Sequence, residues 1–286
     1  MIPLILSVAS SSLIFFVFKL FKKFDIDTFQ AIVFNYFTAF IIGMTLYGDQ
    51  WQPEFSEQTG WMYASIACGA LFISLFFIMG SSSQLNGVAT TSVAVKMSMA
   101  ASLIGMILVF GTPLNIFNSI GILLAILGVF LVSYSKSGKV NASWMLIALF
   151  LGSGMLDFIL YLVQDSVLLN MPGSIFSAVG LGTAGIFGGI ILSIQLATKR
   201  RKLHYKNIIA GIVLGIPNYF SIYLLLLSYK TTGWNEVTVL SITNVSVVLI
   251  SALLGFFAFR EKITSRKVIG LTCAVFAIAL LYLSNK

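Results

Sequence analysis

Ten runs of apolar residues follow one another along the chain, each close to the length at which a helix crosses about 30 Å of hydrocarbon, with short polar breaks between them. They are Pro3 to Leu20, Phe29 to Tyr47, Trp61 to Met79, Val88 to Phe110, Ile116 to Tyr134, Trp144 to Val163, Ser174 to Ala197, Asn207 to Leu227, Val237 to Phe259 and Val268 to Leu283. Apolar residues fill consecutive positions here, whereas a barrel strand would alternate them with polar ones, so each run predicts a helix that satisfies its own backbone. The longest breaks, Gly48 to Gly60 and Thr198 to Lys206, are too short to fold alone. The first run lacks a small-residue cleavage site before Lys19, Lys22 and Lys23, and is expected to be retained as a helix. The expected fold class is an all-α membrane protein of ten transmembrane helices.

The last two runs repeat an earlier pair at a constant offset of 149 residues without a gap: Asn86 to Ser135 falls on Asn235 to Ser284. Asn86 meets Asn235, Ser92 meets Ser241, Phe110 meets Phe259 and Gly121 meets Gly270. Such a duplication divides the chain into a first five-helix unit (1–135), a polar linker (136–143) and a second five-helix unit (144–286). Five is odd, so the two copies enter the membrane in opposite senses. That predicts two inverted repeats around a central cavity, with the substrate held near the midplane.

Composition fixes the solvent. With 58% apolar and only 9% charged residues, the chain cannot hide its hydrocarbon surface in a water-soluble globule. The net charge of +8 then reads as topology and not as nucleic-acid binding. If ten helices alternate, Lys19, Lys22 and Lys23, Lys136 and Lys139, the cluster from Lys199 to Lys206, and Arg260, Lys262, Arg266 and Lys267 all fall on one side. The other side carries only Lys230 and Lys286, and its loop from Gly48 to Gly60 is acidic (Asp49, Glu54, Glu57). The positive-inside rule therefore places both termini outside the cytoplasm.

Each half closes with a span, a short turn and a span led by glycine, FGTPLNIFNSIG and FREKITSRKVIG. In this the chain resembles, over nearly its whole length, the EamA-like branch of the drug/metabolite transporter superfamily. That family usually carries a Glu in the turn after the fourth and ninth helices; Glu261 fits the pattern, while Thr112 stands where the first-half Glu would be. The resemblance implies a ten-helix bundle around a central cavity, moving small metabolites by alternating access. Many members keep both termini in the cytoplasm, opposite to the orientation that the charges here predict.

Chemistry inside such a bundle rests on few polar groups. Lys96 lies eight residues into the fourth run, roughly 12 Å deep, and Asp157 thirteen into the sixth, roughly 20 Å from the same face. A charge at such depth costs at least about 2.5 to 3.5 kcal/mol, so each is expected to face the interior. Lys96 reads as a cation for a substrate carboxylate or phosphate, or as one that loses its proton when its surroundings dry out, or else as half of a structural ion pair with Asp157. Its repeat counterpart is Val245, which makes the expected cavity charged on one side only. Asp157 shares a helix face with Gly154, Tyr161 and Gln164, and reads as a proton or ammonium site or as a helix contact. Asn35 and Asn244 are mid-span amides, and Ser92 and Ser241 are equivalent hydroxyls of the repeat. Tyr219 and Tyr223, one turn apart and just after Pro217, are expected to line the cavity beside a kink.

With one histidine and no clustered carboxylates, neither a metal site nor a catalytic cluster is expected, and no cofactor is implied. The expected function is secondary transport of a small metabolite with an acidic end, such as an amino acid, in a bacterial inner membrane, by proton coupling or facilitated diffusion and by a monomer or homodimer. The rival classes are a lipid-linked precursor flippase, which needs a lateral opening, and a membrane enzyme.

Overall fold

The computed structural model describes residues 1–52, 55, 60–111, 115–133, 140–166, 172–200, 202–234, 236–261 and 264–283, with the backbone alone at 110, 133, 140–143, 160–166, 226, 230 and 236–238. These residues form eleven α-helices: α1 (Ile2–Lys23), α2 (Thr28–Tyr47), α3 (Gly60–Leu85), α4 (Val88–Lys96), α5 (Ser98–Phe110), α6 (Ile116–Ser133), α7 (Val140–Ser166), α8 (Gly173–Ala197), α9 (Tyr205–Thr231), α10 (Glu236–Phe257) and α11 (Ser265–Leu283). Eight helices, counting α4 with α5 as one, are long and apolar enough to cross a membrane; Ile116–Val132 and Trp144–Ile159 are shorter apolar helices. The chain therefore has the make-up of a multi-pass membrane protein. The fourth run is one span of membrane length, divided at Met97 into α4 and α5, and α7 starts at Val140. Residues 136–139, Thr112, Asn235 and Lys262 lie outside the described residues.

Polarity is distributed as lipid demands. Leu108, Phe130, Ile194 and Phe257 stand more than half exposed on outer faces, while Ser7, Asn35, Thr91 and Ser251 are buried within the bundle. The helix ends are capped locally. The Asp27 carboxylate accepts the Phe29 and Gln30 N–H groups at 3.0 and 3.1 Å and starts α2. At the end of α8 the Arg200 N–H returns to the Gln195 carbonyl and the Lys199 N–H to that of Leu196, both at 3.0 Å, with Lys199 itself in the left-handed region (φ 55°).

The principal packing joins the first five spans to the last five: α2 lies against α8 and α9, α3 against α7 and α8, α1 against α9 and α10, α4 against α10, α5 against α7, and α6 against α11. Residue contacts give the directions. Gly43 meets Ala178 while Gly188 meets Val33, so α2 and α8 are antiparallel. Gly128 faces Gly270 while Gly121 faces Leu281, so α6 and α11 are antiparallel too. Gly255 lies near Ala89, and the Asn244 amide points to Met99 Sδ at 3.9 Å, so α4 and α5 run opposite to α10.

Lipid gives apolar helix faces no reason to leave it for one another, and such contacts depend on close backbone approach through small residues. Gly211 and Gly215 supply this on α9: a Cβ there would lie 2.6 Å from the Ala31 carbonyl oxygen and 2.7 Å from that of Asn35. Gly180 on α8 faces nothing closer than Phe72 Cε2 at 3.9 Å. Gly215→Ala is therefore expected to cost about 1 to 3 kcal/mol by overpacking and to lower the thermal unfolding midpoint of the purified protein, whereas Gly180→Ala is expected to leave it unchanged. Equal midpoints for the two variants would contradict this account of the α2/α9 contact.

Candidate functional site

The break in the fourth span sits between its charged residue and a hydroxyl. Met97 keeps helical angles (φ −76°, ψ −10°), but the Ala100 N–H reaches back only three residues, to the Met97 carbonyl at 3.0 Å. Lys96 is the last residue of α4 and Ser98 the first of α5. The Ser98 hydroxyl lies 2.6 Å from the Val95 carbonyl oxygen and 3.0 Å from Asp157 Oδ2. A single hydroxyl proton serves one of these acceptors at a time.

Gly154 explains why α7 comes close enough for this contact. A Cβ at Gly154 would stand 2.5 Å from Ala101 Cβ and 2.9 Å from the Ser98 carbonyl oxygen, so the two backbones touch there. Asp157 lies one turn further along α7, on the same side as Ser98. Along α7, Trp144, Ile147, Leu151 and Met155 form the exposed stripe, and Leu146, Phe150 and Ser153 the buried one. Helical spacing puts Asp157 on the buried stripe, at i+4 and i+7 from Ser153 and Phe150. It is nonetheless exposed, and Lys96 is only half-buried.

Lys96 and Asp157 attract each other electrostatically. Among the described residues, however, the direct ion pairs given by the structure are Lys19 with Glu261 and Lys206 with Asp25, not Lys96 with Asp157. The two central charges thus share a neighbourhood without occupying each other. A group carrying a carboxylate or phosphate has Lys96 to meet, and an ammonium or a proton has Asp157. No group of three metal-ligating side chains occurs among the described residues.

The remaining predicted residues fall into separate contacts. Asn35 accepts the Asn218 amide at 3.1 Å across the α2/α9 contact, leaving its own Nδ2 without a partner in a fully buried position. Tyr219 is fully buried; its ring stacks on that of Tyr223, with centroids 6.0 Å apart and planes 5° apart, and Tyr223 meets Tyr47 at 4.6 Å. The Tyr219 hydroxyl has no partner. Ser92 donates to the Ala89 carbonyl at 2.9 Å, Ser241 is buried with an unpartnered hydroxyl, and Asn244 makes the contact with Met99. The side chains of Tyr161 and Gln164 lie outside the described residues. Sequence reasoning missed Ser98, Asn218 and the Tyr47 ring. Ser98 follows Lys96 by two residues and Asn218 adjoins Pro217, which are the signals that could have found them.

No family model matches the chain. A protein of Haemophilus influenzae (strain ATCC 51907 / DSM 11121 / KW20 / Rd), described as uncharacterized, is similar end to end: 27% identical over 296 residues, covering 99% of this chain and 98% of that one. One solved crystal structure matches 97% of this chain and 98% of its own with a TM-score of 0.60 at 13% identity, a likeness of fold alone.

Proposed function

We propose that this protein is a secondary transporter that moves a small zwitterionic or anionic metabolite, such as an amino acid, by alternating access. The observation that carries the reading is the pair of charges at the helix break: Lys96 half-buried, Asp157 exposed beside the Ser98 hydroxyl, and no direct ion pair between the two. Ionisable residues at membrane depth are expensive and mark substrate or proton pathways. A break beside them is how transporter helices present polar groups to a cavity.

The packing supports the inverted-repeat reading. Pairing the first five spans with the last five in order makes α2 equivalent to α8, the fourth span to α10 and α6 to α11, and each of these pairs is antiparallel. The contact of α2 with α9 is matched by that of α3 with α8, and that of α1 with α9 by that of α3 with α7. Architecture and turn motifs together support membership of the EamA-like branch of the drug/metabolite transporter superfamily, and the bacterial relative supports a bacterial plasma membrane. One observation favours a lipid-linked flippase as the second reading: a groove lined by Phe29, Ile73, Ser74, Phe77, Ile191 and Gln195 opens on the outside of the bundle between α3 and α8. Movement of a labelled lipid across proteoliposomes by the purified protein would decide for that reading.

Two outcomes are expected. Once a metabolomic comparison of cells with and without the protein has named the cargo, Lys96→Met should leave membrane insertion intact, because it removes a buried charge. It should lower transport by at least about tenfold, equivalent to about 1.4 kcal/mol of lost interaction; full transport by that variant would relegate Lys96 to a structural role. For orientation, alkaline phosphatase fused after Lys286 should be active, as the charge distribution requires both termini outside the cytoplasm. Fluorescence from a cytoplasm-only reporter at the same position would show the reverse orientation.

A further inference from the structure

Glu261, in the connection between α10 and α11, holds three parts of the bundle at its basic end. Its Oε1 lies 3.2 Å from Lys19 Nζ near the end of α1 and accepts the Val88 N–H at 2.9 Å, at the start of α4. Its own N–H returns to the Gly255 carbonyl at 2.9 Å. The carboxylate fits between two glycines: a Cβ on Gly87 would come within 2.5 Å of Oε2, and one on Gly255 within 2.8 Å. Gly87 also has φ 100°, a conformation for which glycine is suited. A negative charge at the amino end of α4 is favoured by the helix dipole as well as by Lys19.

One half of this carboxylate is left over. Oε2 is buried without a hydrogen-bond partner, and so is the hydroxyl of Thr90, which is 3% exposed. Both residues line one small cavity together with Ala252, Lys267 and Leu271. The charged groups that face Glu261 are Lys19 from α1 and Lys267 from α11; α4 and α6 bring the uncharged Ala89, Thr90 and Val132.

We propose that Glu261 is a proton-operated latch on the basic end of the bundle. Ionised, it ties α1, the start of α4 and the α10–α11 connection together and closes that end. A hydronium ion reaching the cavity transfers its proton to the free Oε2 and leaves as water; no other bond need break first. The neutral acid finds the Thr90 hydroxyl as an acceptor in the same cavity, directly or through one water. Lys19 keeps its charge, loses its counter-ion and turns to solvent, so α1 is freed from the connection and the basic end opens. The proposal draws on the transport reading only in calling the opened form one state of an alternating cycle, and its test reads conformation without any substrate.

The test uses the full chain in nanodiscs, with Cys68 and Cys273 replaced by Ala and spin labels on Lys23→Cys and Ser265→Cys, at exposed ends of α1 and α11. At about pH 8 a single short distance is expected; as the pH is lowered stepwise to about 4, a longer population should appear. Glu261→Gln keeps an acceptor for the Val88 N–H and removes only the charge, so it should show the longer distance at both pH values. Lys19→Met should do the same with Glu261 intact. A latch-intact protein whose distances are the same at both pH values, or a folded Glu261→Gln or Lys19→Met protein that keeps the short distance, overturns the proposal. The first of these comparisons needs no change in the latch, so misfolding of the latch variants cannot mask the outcome.

Discussion

Everything in this structure depends on helices from the two halves of the chain touching backbone to backbone in a solvent that does nothing to push them together. In water, burial of apolar faces would assemble the bundle; in lipid those faces are already solvated. What remains is close packing and buried hydrogen bonding, both requiring small residues where helices meet. Gly211 and Gly215 let α9 lie on the α2 backbone, Gly128 and Gly270 face each other between α6 and α11, and Gly154 brings α7 onto the start of α5. The last of these contacts sets the position of Asp157 beside Ser98.

The same constraint explains what was legible in the sequence. Spans were readable because hydrocarbon thickness imposes a length and backbone satisfaction imposes a helix, so each predicted run overlaps an observed helix. Spacing from Gly154 put Asp157 on the side of α7 that meets α5, where Ser98 reaches it, while its side chain stands exposed. The break at Met97 was not readable. It has no proline or glycine at its centre, and the flanking residues Lys96 and Ser98 announce polarity but not a weakened hydrogen-bond ladder. Asn35 stood out as a mid-span amide, yet its partner Asn218 depends on which helix lies opposite, a fact carried by the packing of α2 on α9 and by no local pattern.

Glu261 shows how a motif and a geometry complement each other. As a letter in FREKIT it marks a turn; in the structure it is the point where the two ends of the chain's topology are fastened, through Lys19 of α1 and Val88 of α4. That fastening, with the Asp27, Gln30 and Asn207 contacts between α2 and α9, closes the basic end.

The proposed transport function requires that Asp157 be reached by water from the end of the bundle opposite the basic loops. Asp157→Cys, in a protein lacking Cys68 and Cys273, is the most direct probe, labelled with a membrane-impermeant thiol reagent added to either face of sealed vesicles. Rapid labelling from the face opposite the basic loops, with little from the basic face, is the predicted result. A thiol that reacts from neither face would mean that position 157 lies in lipid or in a sealed core, and would contradict the account.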